Sequence, residues 1–332
     1  MKKGLKRTLI VLGSVVGFVG VFIGVCNIIP PKKVIEVNNF IRKEGSDKPM
    51  LAAHRGGSLA NPENTLKAYK AAVNEFKIDI VESDIWMTKD EHLVYSHDGT
   101  IDRMSDVALF DNTTDKHNIS DYTLDELENF NFGYGFQDKN GNYPYRDLVT
   151  VDQQNRKQVL KDNDLQILEV DKLFEQFYES NPDLMFIVEI KNGGEQGFKA
   201  ATALDNLLTN RFPNYKDKVV VGTFKDEISK DLKENHPTIL RGASTGEATK
   251  FVVTQMFGVN IFDDGDFVCL QIPTERSILH LDRKTFVRRA HRRNMAVQYW
   301  TINDAETMKE LNELGCDCIM TDDPELFNET FK

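Results

Sequence analysis

From residue 50 onward the chain alternates between short apolar runs and longer runs in which apolar residues recur every three or four positions. Short apolar runs bounded by polar residues are typical of strands, and the longer spacing is typical of amphipathic helices. The predicted strands are, in chain order, MLAAH, VESDIWMT, LVYSH, LMFIVEIK, KVVVGTF, TILRGAS, FVCLQIP, MAVQYWTI and CDCIMTDDP. The predicted helices span residues 64–76, 124–129, 173–180, 197–210, 226–235, 283–293 and 304–314. This alternation predicts an α/β fold.

The near-continuous apolar character of these strands predicts a parallel sheet that helices cover. About eight strands alternate with helices, which favours a closed (β/α)8 TIM barrel. The alternative is an open, doubly wound sheet, but the first strand is followed by HRGG and not by the G-x-G-x-x-G turn of a dinucleotide site. A polar stretch at about residues 106–165 predicts a small insertion on this scaffold.

The N-terminal segment predicts a membrane-spanning helix, because the run from Thr8 to Ile29 is uncharged. A helix needs roughly 20 such residues to cross a bilayer. We therefore divide the chain into a basic flank (1–7), a transmembrane helix (8–29), a polar stalk (30–48) and a catalytic domain (49–332).

The charges around this helix bear on its topology. Basic residues before it favour a single-pass protein whose N-terminus is cytoplasmic and whose catalytic domain lies outside the cytoplasm; they are Lys2, Lys3, Lys6 and Arg7. Basic residues after it weaken that asymmetry, namely Lys32, Lys33, Arg42 and Lys43. The run is too long for a typical signal peptide, and Val25 stands where lipid attachment to Cys26 would need a small residue.

Composition narrows the function classes. The 332 residues are 40% hydrophobic, which suits one large domain with an appendage. The net charge of -11 argues against nucleic acid as a general partner. The four cysteines include no CxxC pair, so we expect neither a cysteine zinc site nor a disulfide framework.

Two acidic residues on one predicted strand suggest a cation. Glu82 and Asp84 project from the same face, because alternate residues of a strand do so. Their repulsion is relieved most simply by a hard divalent cation bound through oxygen, although a chance pair of surface acids is the alternative. The next predicted strand ends at His97 and Asp98, where an imidazole could meet whatever the cation binds.

Other polar residues also fall at predicted strand ends. Parallel strands of a barrel bring their carboxyl ends to one rim, which is where barrel enzymes carry their chemistry. The residues that the sequence places there include His54, Arg55, Glu189, Lys191 and Trp300. We expect them to converge with Glu82, Asp84 and His97.

These residues sit in blocks that resemble the glycerophosphodiester phosphodiesterase family, in order, from about Leu51 to Phe327. The blocks are HRGG (54–57), PENT (62–65), ESD (82–84), HDGTIDR (97–103), TLDEL (123–127), VEIK (188–191), YWTIN (299–303) and TDDP (321–324). The resemblance implies a barrel, a divalent ion bound by Glu82, Asp84 and Glu189, and an acid/base pair of His54 and His97. It also implies that Arg55 and Lys191 contact phosphate.

The remaining candidates have weaker assignments. Oxygen-only ligands favour Mg2+ or Ca2+ over zinc. Glu63 and Asn64 follow the first strand end, so we expect Glu63 to orient Arg55 and Asn64 to touch substrate or metal, although Asn is also an ordinary helix cap. Trp300 is either an apolar wall for the glycerol carbons or a barrel-packing residue.

The expected function is metal-dependent hydrolysis of a small glycerophosphodiester, or of a lipid-derived one, to glycerol 3-phosphate and an alcohol. The attacking oxygen is either the neighbouring glycerol hydroxyl, which gives a cyclic phosphate, or water. One alternative is a lipid-directed enzyme on the same barrel, acting as a lysophospholipase D or like a sphingomyelinase D. Another is a non-catalytic phosphate-binding envelope protein.

Overall fold

The computed structural model describes residues 3–111, 113, 115–276 and 279–332. The strands are β1 (Met50–Ala53), β2 (Ile80–Met87), β3 (Leu93–Tyr95), β4 (Met185–Ile190), β5 (Val219–Gly222), β6 (Leu240–Arg241), β7 (Cys269–Ile272), β8 (Glu275–Arg276), β9 (Leu279–His280), β10 (Ala296–Tyr299) and β11 (Cys318–Thr321). Eight of them pair in parallel in the order β6-β5-β4-β2-β1-β11-β10-β7. A parallel bridge between Gly242 and Cys269 links the two ends of this order. The predicted TIM barrel is confirmed.

Helices connect the strands and cover the barrel. In the described part of the chain they are α1 (Lys3–Ile28), α2 (Leu66–Asn74), α3 (Leu124–Leu127), α4 (Arg156–Asp162), α5 (Val170–Tyr178), α6 (Gly194–Asn210), α7 (Asp226–Asn235), α8 (Thr245–Met256), α9 (Lys284–Arg292), α10 (Ala305–Leu314) and α11 (Pro324–Thr330). Three of these helices, α4, α8 and α11, are absent from the sequence prediction. α8 begins with a capping box between Ser244 and Glu247, which supplies partners for backbone N–H groups that the helix itself leaves unbonded.

The barrel interior changes character along its axis. On β2 and β4 the inward residues near the amino end are apolar and belong to one interior cluster, as Ile80 and Ile187 show. Two residues further along each strand the same face carries an acid, Glu82 on β2 and Glu189 on β4. The strand period therefore packs the amino end and leaves charge at the carboxyl end.

The segment 30–48, which we interpret as a stalk, lies against the amino end of the barrel. Phe40 is fully buried and packs with the interior cluster. The Asn38 side chain donates hydrogen bonds to the carbonyls of Val268 and Asn294, both at 2.9 Å. The segment thus closes the amino end of the barrel.

Strand β3 is a departure from the simple alternation. It pairs antiparallel with β2, with Ile85 opposite Tyr95, and lies outside the ring of eight. The sequence predicts VESDIWMT and LVYSH as two strands joined by a turn, and the chain does turn back along β2, so LVYSH is not one of the eight parallel strands. His97 therefore approaches the carboxyl end of the barrel from this returning strand.

The insertion at about 106–165, in which residues 112 and 114 lie outside the described residues, packs on a small apolar cluster that it shares with Val94 of β3 and with Ile167. Three of its aromatic residues, Phe130, Phe132 and Phe136, are buried, and two, Phe110 and Tyr143, are exposed. The aromatic residues of this insertion are therefore used mainly inside it.

Within the described residues one helix, α1, is long and apolar enough to cross a membrane, over Arg7–Ile28. A signal sequence near the N-terminus can also meet this criterion. Residues 1 and 2 of the predicted basic flank lie outside the described residues.

Candidate active site

A cavity of about 240 Å³ opens at the carboxyl ends of the barrel strands. The structure brings eight of the ten predicted site residues to its lining: His54, Arg55, Glu82, Asp84, His97, Glu189, Lys191 and Trp300. The other two, Glu63 and Asn64, lie behind this wall. Sequence reasoning missed further lining residues, among them Thr223, Phe224 and Gln271.

Three carboxylates face this cavity from neighbouring strands. Asp84 on β2 lies in register with Glu189 on β4, and Glu82 precedes Asp84 on the same face. Burial, reinforced by the charge of Asp84, raises the pKa of Glu82 to about 7. Burial also raises the pKa of Glu189. One oxygen of Asp84, Oδ2, is buried and has no hydrogen-bond partner among the described residues.

Two cationic side chains balance part of this charge. Lys191 Nζ lies 2.9 Å from Asp84 Oδ1 and 2.9 Å from Glu189 Oε2. Burial would lower the pKa of Lys191, but these two carboxylates raise it, so the ammonium stays charged. Arg55 Nε is 3.5 Å from Asp84 Oδ2.

The donor set suits a hard divalent cation. In the described part of the chain no three His, Cys, Asp or Glu side chains are already gathered as a metal site. However, Glu82, Asp84 and Glu189 offer only oxygen donors, two of them have raised pKa values, and Asp84 keeps a buried oxygen that accepts no hydrogen bond. These are the properties of ligands for Mg2+ or Ca2+.

Arg55 is held by an unusual backbone conformation. It lies in the turn after β1 with φ of 53°, in the left-handed region that costs a non-glycine residue free energy. In this conformation its N–H donates a 2.9 Å hydrogen bond to Glu82 Oε2. The turn thus fixes one of the carboxylates while presenting the guanidinium to the cavity.

His54 is oriented by an acid that the sequence prediction gave no role. Its Nδ1 lies 2.7 Å from Asp322 Oδ1. Asp322 also accepts hydrogen bonds from Ser58 Oγ at 2.7 Å and from Asn303 Nδ2 at 2.8 Å. Burial would raise the pKa of Asp322, but the bond from His54 and the partners around it lower that pKa to about 2. Asp322 stands within the TDDP block, which was the available signal.

His97 has a matching arrangement. Its Nδ1 is 3.0 Å from Asp98 Oδ1, and Asp98 Oδ2 accepts a 2.6 Å bond from Arg103 Nε. Arg103 in turn donates to Glu63 at 2.6 and 3.0 Å. Glu63 lies 3.5 Å from Arg55 Nη1, so its shorter bonds run toward the His97 side of the cavity.

Asn64 and Trp300 occupy different surroundings. Asn64 is buried, its Oδ1 accepts a 2.7 Å hydrogen bond from the Tyr69 hydroxyl, and the N-cap of α2 is Thr65 instead. Trp300 lies on the cavity wall with its ring 5.9 Å from that of Phe224. These two rings form an apolar part of the cavity wall, and Lys191 Nζ lies 5.8 Å from the centroid of the Phe224 ring.

The chain is similar in sequence to a known protein family and its members. The sequence model described as "Glycerophosphoryl diester phosphodiesterase family" matches residues 54–326. A glycerophosphodiester phosphodiesterase of Caldanaerobacter subterraneus subsp. tengcongensis is 25% identical over 280 residues, which cover 84% of this chain and 96% of that protein.

Solved structures show the same barrel. The glycerophosphoryl diester phosphodiesterase domain of a Mycobacterium tuberculosis protein superposes with a TM-score of 0.67 at 15% identity, over 86% of this chain and 99% of that one. An Oleispira antarctica phosphodiesterase, solved with the product sn-glycerol-3-phosphate, has a TM-score of 0.61 at 19% identity, over 86% of this chain and 97% of that one.

Proposed function

This chain belongs to the glycerophosphoryl diester phosphodiesterase family, and on that premise we propose that it hydrolyses glycerophosphodiesters to glycerol 3-phosphate and an alcohol by metal-dependent His/His acid-base catalysis. Phosphodiesterase activity follows from the family. The metal dependence and the roles of individual residues are the proposal. The observation that carries it is a cavity where two carboxylate-bound imidazoles meet three acids, two of them buried.

The phosphodiester needs its negative charge neutralised before a nucleophile can approach. Arg55 and Lys191 line the cavity and supply positive charge, and a guanidinium can contact two phosphate oxygens at once. Glu82, Asp84 and Glu189 would hold a Mg2+ or Ca2+ ion. When bound, that ion supplies Lewis-acid stabilisation of charge on phosphate oxygen.

The two histidines move the protons. A carboxylate can only accept a hydrogen bond, so Asp322 and Asp98 each select the tautomer that carries hydrogen on Nδ1. The Nε2 atoms of His54 and His97 are then free to exchange a proton with substrate. One imidazole, neutral and without hydrogen on Nε2, takes the proton of the attacking oxygen, while the other, protonated on both nitrogens, gives its Nε2 proton to the departing oxygen.

The attacking oxygen is the neighbouring glycerol hydroxyl in our proposal, because an intramolecular hydroxyl gains effective concentration. The product of this step is a cyclic glycerophosphate, which water then opens. A diester that lacks this hydroxyl should therefore be a poor substrate. Full activity on such a diester, with no cyclic phosphate detected, would favour direct attack by water.

We also propose that α1 anchors the protein in a membrane as a single-pass helix, with the barrel outside the cytoplasm. The uncharged stretch of α1 and the basic residues before it support this topology. Protease added to intact and to permeabilised cells should digest the barrel in both if the barrel is outside.

Product analysis tests the function. The full chain, purified in detergent, is incubated with a panel of glycerophosphodiesters and Mg2+ or Ca2+, before and after chelation. We expect glycerol 3-phosphate and the free alcohol, and loss of both on chelation. Release of no glycerol 3-phosphate from any diester would refute the activity, and unchanged release after chelation would refute the metal dependence.

A further inference from the structure

The last turns of α1 are fixed to the barrel. The Phe22 ring stacks on the ring of Phe262, with centroids 6.1 Å apart. Cys26 is buried. Asn27 Nδ2 donates a 2.8 Å hydrogen bond to the carbonyl of Gly258, which follows α8. These contacts join a helix of membrane-spanning composition to the surface between α8 and β7.

Arginines of α9 complete this attachment. Arg292 donates to the carbonyls of Asn27 and Ile29 at 2.9 and 3.0 Å. Arg289 reaches Asn27 Oδ1 at 3.3 Å. The last carbonyls of a helix lack partners within it and carry partial negative charge, so cationic donors stabilise this end. Cleavage of α1 as a signal sequence would leave these donors without their partners, so the contacts favour a retained helix.

An exposed apolar ridge lies beside the attachment. Its members are Val253, Met256, Phe257 and Phe262, whose exposed fractions are 44%, 63%, 67% and 57%. Large apolar side chains clustered on a surface usually mark a site of contact. Since Phe262 belongs both to the ridge and to the contact with α1, the ridge continues the apolar surface of that helix.

The position of α1 sets the depth of this ridge. Phe22 lies six residues before Ile28, where α1 ends, which corresponds to about 9 Å along a helix. Interfacial apolar groups bury themselves roughly 5–10 Å into the boundary between head groups and acyl chains. Arg288, exposed on α9, lies one turn before Arg292 and can extend toward lipid phosphates.

We propose that the ridge of Val253, Met256, Phe257 and Phe262 inserts into the lipid interface of the membrane that α1 spans. The occupant is the bilayer itself, and the inference depends on the proposed anchoring. The barrel is then held at two places, α1 and the ridge, and cannot turn freely about the helix end.

This attachment fixes which way the catalytic cavity faces. In this barrel the helices run back along the strands, so the ends of α8 and α9 lie at the amino end of the barrel. The cavity is at the opposite end. The cavity therefore opens away from the bilayer, which suits a water-soluble diester and not a lipid embedded in that membrane.

Site-specific labelling tests the proposal in the full chain. All four native cysteines are buried, so a new surface cysteine can be labelled selectively with an environment-sensitive fluorophore. We compare Phe257→Cys with Phe198→Cys after reconstitution into phospholipid vesicles that contain nitroxide-labelled lipid. Phe198 is 39% exposed near the start of α6, at the catalytic end of the barrel, and is the matched control.

The proposal predicts severalfold stronger quenching by nitroxide lipid at position 257 than at 198, at any protein-to-lipid ratio. Equal, weak quenching at both positions would overturn it. A water-soluble quencher provides a second readout. If position 257 is shielded from this quencher and the shielding disappears when the protein is diluted in lipid, a second copy of the chain covers the ridge. This result would also overturn the proposal. Diesterase activity of the same samples separates failure of this inference from failure of the function.

Discussion

Each end of the barrel contains a buried aspartate, and the two aspartates differ in their hydrogen bonding. Asp317 at the amino end is fully buried and both its oxygens are bonded: Oδ1 accepts from the Arg42 N–H at 3.0 Å, and Oδ2 accepts from His291 at 2.8 Å and from the Val297 N–H at 2.7 Å. Asp84 at the carboxyl end is equally buried but keeps an oxygen without a hydrogen-bond partner.

This difference in hydrogen bonding distinguishes a carboxylate with a structural role from one with a functional role. A buried carboxylate whose acceptors are all used stabilises the fold, because its desolvation is compensated. A buried carboxylate with spare acceptors, beside a second acid whose pKa is raised to about 7 by burial and charge, destabilises the empty site and favours a bound cation. We therefore expect substitutions at the amino end to change stability and substitutions at the carboxyl end to change activity.

Removal of divalent cations should produce the largest effect. Chelation is expected to lower turnover at least about a thousandfold, because the cation that neutralises negative charge on the phosphate oxygens is lost. Near-ultraviolet circular dichroism should stay unchanged, since the amino end holds the fold. Turnover should return on addition of Mg2+ or Ca2+. Turnover that survives chelation would contradict the functional role given to Asp84.

Loss of either imidazole should come next. His54→Ala and His97→Ala are each expected to lower kcat by about a thousandfold, or about 4 kcal/mol in activation free energy, because proton transfer is removed. His92→Ala is the matched control, since His92 bonds to Glu169 outside the cavity. Normal turnover of His97→Ala, with unchanged unfolding temperature, would refute the proton-transfer role.

Asp317 and Asp84 allow a direct comparison of how each buried aspartate affects stability. Asp317→Asn should lower the free energy of unfolding by about 2 to 3 kcal/mol, because an amide leaves at least one buried donor unpaired. Asp84→Asn should lower it by less when metal is absent, because relief of repulsion with Glu82 offsets the loss of the ion pairs with Lys191 and Arg55. Denaturant unfolding of both variants in chelator measures this difference, and equal destabilisation would contradict the comparison.

Asp322 should give the smallest effect. Asp322→Asn is expected to lower kcat about tenfold with little change in KM, because the amide no longer holds His54 in the tautomer with hydrogen on Nδ1. Asp264→Asn, at an exposed ion pair with Lys250, is the control. A rise in KM at constant kcat would instead assign Asp322 to substrate binding.

Local pattern was enough to predict the barrel and the convergence of most cavity residues. The strand period puts Glu82 and Asp84 on one face, and the parallel topology brings His54 and Glu189 to the same rim. The first follows from spacing along one strand and the second from the alternation of strands and helices, and both patterns are visible in the sequence.

Contacts between distant segments could not be predicted from local sequence pattern. The partnership of His54 with Asp322 joins residues 268 positions apart, and no periodicity relates them. The sequence places Phe40 in a polar segment, because one aromatic residue among charged residues shows no periodicity that would predict its burial. The helix α8 was missed although Ser244 and Glu247 have the spacing of a capping box, because Gly246 and several β-branched residues weaken its helical pattern.

The most direct test of the central claim is a calorimetric titration of the metal-free full chain with Mg2+ and Ca2+. The parent chain and Glu195→Gln, which neutralises an exposed acid on α6, should each bind one ion per chain at the cavity. Asp84→Asn should lose that binding by at least about tenfold in affinity. Unchanged affinity in Asp84→Asn would show that Glu82, Asp84 and Glu189 do not hold a catalytic cation.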